Sequence, residues 1–73
     1  LLDNMELHHK KPKSLGGTDE YNNLVFVTKI VHKLIHATKE ETIEKYLQLA
    51  RLTQDGRDKV NKLRVMAGNK ILA

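Results

Sequence analysis

Two short stretches of the chain have the composition of β-strands, and the remainder repeats apolar residues at helical spacing. Residues 1–9 carry apolar residues near their start, and residues 24–27 read Leu-Val-Phe-Val, so both are predicted strands. Between them, Pro12 opposes continuation of a central strand. The run Gly16-Gly17-Thr18-Asp19 is typical of a turn. The pattern predicts two strands joined by a loop.

Three helices are predicted after the second strand. Thr28 can cap a helix over residues 29–36, whose buried residues would be Val31, Leu34 and Ile35. Thr38-Lys39-Glu40-Glu41 fits a capping box with Thr38 at the N-cap, so a second helix should start there. Asp55-Gly56 is expected to break that helix, and Gly68-Asn69 to end a third one. The chain is therefore expected to be α+β.

Composition limits the size and chemistry of the fold. The chain has 73 residues with one Phe, two Tyr and no Trp, which predicts one small domain with an aliphatic core. The absence of cysteine excludes a disulfide framework and a cysteine-based zinc knuckle. No apolar run approaches about 18 residues and no signal-peptide pattern opens the chain, so we expect no membrane partner and a cytoplasmic setting of bacterial, phage or organellar type. The leading Leu suggests either a domain excised from a larger parent polypeptide or a processed fragment.

The formal charge of +4 favours a polyanionic partner. Residues 1–36 hold five Lys or Arg and four Asp or Glu, a net of +1, whereas residues 37–73 hold eight and five, a net of +3. Most of the excess lies at Arg57, Lys59, Lys62, Arg64 and Lys70. This pattern fits a solvated helix face and equally a contact with nucleic acid or with a parent protein.

All four histidines lie between His8 and His36. His32 and His36 are four residues apart, so a helix would place both on one face, where they could bind one metal ion. His8 and His9 are adjacent on a predicted strand and should point to opposite faces. One of them could complete the metal site while the other acts separately. A chance pair at this spacing is common, but the doublet, the glycine turn and Asn22-Asn23-Leu24 together favour a metal site.

These residues resemble the HNH endonuclease motif, which has a ββα-metal fold. The resemblance rests on Glu6-Leu7-His8-His9, Pro12, Gly16-Gly17, Asn23-Leu24 and His32-Lys33-Leu34-Ile35-His36, a spacing close to that of the DNase-type colicins. It covers a little under half of the chain. It implies a single nuclease domain, with the ββα-metal motif over residues 1–37 and a helical C-terminal extension over residues 38–73.

Residues 58–69 are also similar to the end of group II intron-encoded reverse transcriptase/maturase proteins, which often finish with an HNH domain. HNH domains of that group often carry paired cysteines as a zinc knuckle. Thr28 and Val31 stand where the second pair would fall, so this chain lacks the knuckle.

The resemblance assigns a role to each site residue. His9 would be the general base, and His8, His32 and His36 would bind one divalent metal ion, leaving positions open for phosphate and water. Imidazoles favour zinc or nickel, whereas magnesium, and likewise manganese, suits oxygen ligands better. Asn23, rather than its neighbour Asn22, would tie the loop to the first strand and so hold His9; the alternative is an ordinary turn asparagine. Glu6 could orient a ligand or a water molecule, or be an exposed strand carboxylate.

The activity implied by the resemblance is hydrolysis of DNA that leaves 5′-phosphate and 3′-hydroxyl ends. Lys10, Lys11 and Lys13 flank the site and are candidates for contacts with backbone phosphates, although each could instead be solvated. No base-reading helix or stacking aromatic is predicted, so sequence specificity should be low. The domain could be the nicking part of a larger intron-encoded homing protein. The alternatives are a catalytically weak or inactive nucleic-acid-binding module of the same fold and a structural zinc domain.

Overall fold

The computed structural model describes residues 4–72, so the predicted strand residues 1–3 lie outside the described part. Two strands, β1 (Met5–His9) and β2 (Leu24–Thr28), form an antiparallel sheet. Three helices follow: α1 (Lys29–His36), α2 (Glu40–Ala50) and α3 (Gln54–Met66). The predicted α+β class is confirmed. Within the described range, no helix is long and apolar enough to cross a bilayer.

The register of the hairpin decides which side chains face α1. Met5 pairs with Thr28 and His9 with Leu24, so the strands match along their whole length. Because side chains alternate between the faces of a strand, Glu6 and His8 share one face. That face lies against α1, where His8 is buried. Leu7, on the other face, is exposed.

Helix α1 starts and ends where the sequence predicts. The Thr28 hydroxyl accepts a hydrogen bond of 3.2 Å from the backbone N–H of Val31, which caps the first turn. Leu34 and Ile35 are completely buried, whereas Val31, which was also predicted to be buried, is only partly buried. They join an aliphatic core with Val27, Val60 and Leu72. The core therefore joins the sheet, α1 and α3. Its buried residues are aliphatic, as the small number of aromatic residues predicted.

Two details of the helix predictions are wrong. Lys39, not Thr38, is the N-cap of α2, and no side chain caps that helix. Asp55-Gly56 does not break a helix either, because Thr53 caps α3 by accepting a hydrogen bond of 3.1 Å from Gly56 N–H. The break falls earlier, at Arg51, whose φ of 49° is left-handed. The capping bond from Gly56 N–H to the Thr53 hydroxyl thus outweighs the tendency of Asp55-Gly56 to form a turn.

The loop between the strands depends on two glycines. Gly16 has a φ of +89°, a backbone conformation that side chains with a Cβ rarely adopt. A methyl group at Gly17 would overlap the backbone oxygen of Lys11. The amide of Gly17 donates to the carbonyl of Pro12 over 2.9 Å. The predicted turn is confirmed, and its second glycine is required for close backbone approach.

Candidate metal centre

His8 from β1 and His32 and His36 from α1 converge on one point. One ring nitrogen from each residue lies within 4.8 Å of the other two. The ring centroids are 5.1 Å apart for His8 and His32, 5.1 Å for His8 and His36, and 4.9 Å for His32 and His36, all in edge-to-face arrangements. Three imidazoles grouped in this way are a ligand set that binds zinc-like metal ions.

The buried ring of His8 provides an independent test of whether a metal fits. His8 is only 1% exposed. Among the described residues, its Nε2 has no hydrogen-bond partner. A buried polar nitrogen without a partner is costly in a folded protein. A metal ion bound between the three rings would satisfy this nitrogen, so the residues present fit a metal.

The electrostatics of the cluster favour the neutral form of two of its rings, those of His8 and His36. Burial, followed by repulsion from His36, His32 and His9, lowers the pKa of His8 from 6.5 to about 4. Partial desolvation and repulsion from His32 also lower the pKa of His36. A neutral imidazole has the free lone pair that a metal ligand needs. At neutral pH the imidazoles of His8 and His36 can therefore act as metal ligands.

Glu6 orients one of the three rings. Nδ1–H of His32 donates a hydrogen bond of 2.9 Å to Oε1 of Glu6. Because a carboxylate only accepts, this bond assigns the proton to Nδ1 and leaves Nε2 as the ligand nitrogen. A carboxylate behind a histidine is a common support for metal-binding imidazoles. The sequence placed Glu6 on the same strand face as His8 but did not identify its partner.

His9 is held separately from the three converging rings. Its Nε2–H donates a hydrogen bond of 2.7 Å to Oδ1 of Asp19, whose other oxygen pairs with the Lys13 ammonium at 3.2 Å. The hydrogen bond from His9, reinforced by Lys13, lowers the pKa of Asp19 below its usual value. The sequence pattern predicts Asp19 only as a turn residue. No local pattern links it to a histidine ten positions away.

Asn23 ties the loop together. Its side-chain oxygen accepts from Lys11 N–H over 2.9 Å, and its amide donates to the carbonyls of Lys11 and Thr18 over 3.1 and 2.7 Å. Its backbone oxygen accepts from Lys10 N–H over 2.8 Å. Asn22, the competing residue, is exposed. These bonds fix the chain directly after His9.

An open cleft of ≈ 280 Å³ connects these groups. It is lined by Leu7, His8, His9, Pro12, Lys13, His32 and His36. His9 therefore lines the same cleft as the three converging rings without being one of them. Of the three candidate lysines, only Lys13 lines the cleft, and it is paired with Asp19. Lys11 and Lys13 are exposed, and Lys10 is half-buried.

Comparison with known proteins gives a partial match to a nuclease. The chain is similar to the probable mobile endonuclease C of Enterobacteria phage T4, with 52% identity over 31 residues. The match covers 42% of this chain and 15% of the phage protein, so the chain corresponds to a small part of that protein. No protein-family model and no solved structure matches the chain.

Proposed function

We propose that this chain is a metal-dependent endonuclease domain of the ββα-metal (HNH) type, which hydrolyses DNA to 5′-phosphate and 3′-hydroxyl ends. The observation that carries the proposal is the convergence of His8, His32 and His36 in a cleft that His9 also lines. The order of a two-stranded sheet followed by a helix and the partial similarity to a phage endonuclease both support it.

His8, His32 and His36 are the proposed ligands of one divalent ion. Imidazole nitrogens favour zinc or nickel over magnesium. The bound ion would supply Lewis-acid stabilisation of negative charge on the phosphate and on the departing oxygen. Glu6 contributes by holding the His32 ring in one tautomer.

His9 is the proposed general base. With Nε2 donating to Asp19, Nδ1 is the ring nitrogen that takes a proton from the attacking water. Asp19 and the Asn23 network keep the ring and the following backbone in place, so that the base stays aimed into the cleft. In this role His9 needs no contact with the metal.

We propose that three lysines near the cleft contact backbone phosphates of the DNA: Lys10, Lys11 and Lys13. Such contacts raise affinity for any DNA sequence and carry little specificity. We therefore propose that target choice belongs to other parts of a larger protein, such as an intron-encoded homing protein, in which this domain makes the nick.

A plasmid-nicking assay tests the proposal. Supercoiled plasmid is incubated with the protein and with Zn²⁺, Ni²⁺, Mg²⁺ or Mn²⁺, with and without EDTA. We expect nicking that EDTA abolishes, and a nick that DNA ligase reseals, because ligase joins a 5′-phosphate to a 3′-hydroxyl. Tight metal binding without nicking would instead support the alternative of a metal-containing binding module.

A further inference from the structure

The C-terminal end of α1 is closed by a buried arginine from α3. Arg64 is only 2% exposed although it carries a charge. Its Nη1 donates to the backbone oxygen of Ala37 over 2.9 Å and to that of Leu34 over 2.5 Å. Its Nε donates to the oxygen of Lys70 over 2.7 Å. The guanidinium thus joins the end of α1 to the segment that follows α3.

Asn69 completes this closure. Its side-chain amide donates to the backbone oxygen of Ile35 over 2.9 Å, and its own N–H donates to the oxygen of Arg64 over 2.8 Å. The last carbonyls of a helix have no partner within the helix and form its negative end. Arg64 and Asn69 supply donors and, through Arg64, a positive charge at the point where α1 needs both.

Helix α1 depends on such support because it has only eight residues. A helix of that length is unstable without tertiary contacts. The carbonyls bound by Arg64 and Asn69 belong to residues on both sides of His36, the last residue of the helix. Movement of this turn would displace the His36 ring from the other two rings.

The same segment also reaches the loop that follows His9. A methyl group at Gly68 would lie 3.6 Å from Cδ1 of Leu15, so the backbone just after α3 packs against the loop between the strands. The end of α3 therefore touches both the helix that carries His36 and the loop that carries Asp19.

We propose that Arg64, assisted by Asn69, is a positioning residue for the metal centre: it sets the last turn of α1 and so places the His36 imidazole for metal binding. This inference rests on the proposed metal site and deepens it. It makes the end of α3 part of the support of the metal centre. The sequence pattern had suggested only a solvated face, or a contact with nucleic acid or a parent protein, for the basic residues of that helix.

The test measures metal binding on folded variants. Arg64→Lys keeps the charge but loses the planar fork, and Asn69→Ala removes a single donor. Lys62→Gln, an exposed change on the same helix, is the matched control. For each variant we would confirm folding by circular dichroism and measure Zn²⁺ affinity by competition with a chelator. The absorption spectrum of bound Co²⁺ would report the coordination geometry.

We expect Arg64→Lys to weaken Zn²⁺ binding about 10-fold or more and to change the Co²⁺ spectrum, as removal of a group that supports a ligand does. Asn69→Ala should weaken binding less, and Lys62→Gln should leave it unchanged. A purely structural role would lower the melting temperature but leave the affinity and spectrum of the folded protein intact, and that result would overturn the inference.

The other outcomes are also decisive. If Arg64→Lys does not fold, the folded Asn69→Ala variant decides the question. Unchanged Zn²⁺ affinity in that variant overturns the inference, and weakened affinity supports it. If the natural chain binds no Zn²⁺, the inference fails. If Zn²⁺ binding depends on Arg64 but plasmid is not nicked, the proposed nuclease function fails and the inference stands.

Discussion

Glu6 and His32 form a hydrogen bond of 2.9 Å that links strand β1 to helix α1. The bond assigns the proton to Nδ1 of His32 and leaves Nε2 with the lone pair that a metal requires. It also joins residues 26 positions apart, so the same contact aligns the two elements that bring the three imidazoles together.

The first prediction concerns this bond. Glu6→Ala should weaken Zn²⁺ affinity about 10- to 100-fold because His32 loses the group that fixes its tautomer and ring orientation. Glu6→Gln should be milder, since its amide oxygen can still accept the hydrogen bond. Calorimetric titration with Zn²⁺ measures both. Glu44→Ala, an exposed carboxylate on α2, is the control. An equal effect of all three substitutions would contradict the assignment.

The second prediction is the pH dependence of stability without metal. The pKa of His8 is lowered from 6.5 to about 4 in the folded protein, so between these values the unfolded chain binds a proton that the folded chain does not. This contribution is fully present above pH 6.5 and is lost as the pH falls towards 4. The free energy of unfolding should fall by about 1–3 kcal/mol over this range, with His36 acting in the same direction.

Urea unfolding in EDTA at a series of pH values measures this decrease. A His8→Gln variant is the control, because it lacks the buried imidazole and should show a shallower dependence. Equal or greater stability of the natural chain at pH 5 than at pH 7.5 would contradict the prediction.

The third prediction concerns the loop glycine. Gly17→Ala should lower the melting temperature markedly, because its methyl group would overlap the Lys11 carbonyl and force the loop apart. Cleavage should fall as well, since Asn23 bonds to Lys11 beside His9. Gly56→Ala is the matched control, because its Cβ meets Thr53 Oγ1 at an ordinary 3.4 Å within a helix. That substitution should be neutral or stabilising by about 0.5–1 kcal/mol. Similar decreases in melting temperature for Gly17→Ala and Gly56→Ala would show that the close approach of Gly17 to the Lys11 carbonyl is not the cause.

Local patterns predicted the elements of this fold well. The Thr28 cap and the apolar spacing after it gave α1 its correct limits, because each signal relates residues only three or four positions apart. The alternation of faces separated His8 from His9 in the same way. The Asp55-Gly56 break was wrong because the Thr53 cap starts α3 before it. The Thr38 capping box was wrong because the N-cap of α2 is Lys39, with no side-chain hydrogen bond.

Long-range partners could not be predicted from such patterns. The contact of Glu6 with His32 depends on how the hairpin packs on α1, and the contact of Asp19 with His9 depends on how the loop between the strands folds back on β1. The sequence pattern did not distinguish Arg64 from the other basic residues of its helix. In the structure it is buried and donates a hydrogen bond to the carbonyl of Leu34, thirty residues away. Only the tertiary structure separates it from the exposed Lys62 two positions before it.

The fourth prediction concerns the lysines near the cleft. If they meet phosphates, replacing Lys10 and Lys11 together with Gln should flatten the dependence of log affinity on log salt by about 0.9 for each phosphate that is no longer neutralised. Lys13→Gln should change the slope less, because in the free protein this ammonium is already paired with Asp19. Fluorescence anisotropy of a labelled duplex at several salt concentrations measures the slopes. Unchanged slopes in the double variant would place the DNA-binding surface elsewhere, with the basic residues of α3 as the next candidates.

The most direct test of the central claim compares His9→Ala with His36→Ala for both Zn²⁺ affinity and plasmid nicking. His9 bonds to Asp19 and stands outside the group of three imidazoles, so its removal should abolish or greatly reduce nicking while leaving Zn²⁺ affinity nearly unchanged. His36→Ala should lose both Zn²⁺ binding and nicking. Equal weakening of Zn²⁺ binding in the two variants, or full nicking by His9→Ala, would contradict the division between metal ligands and general base.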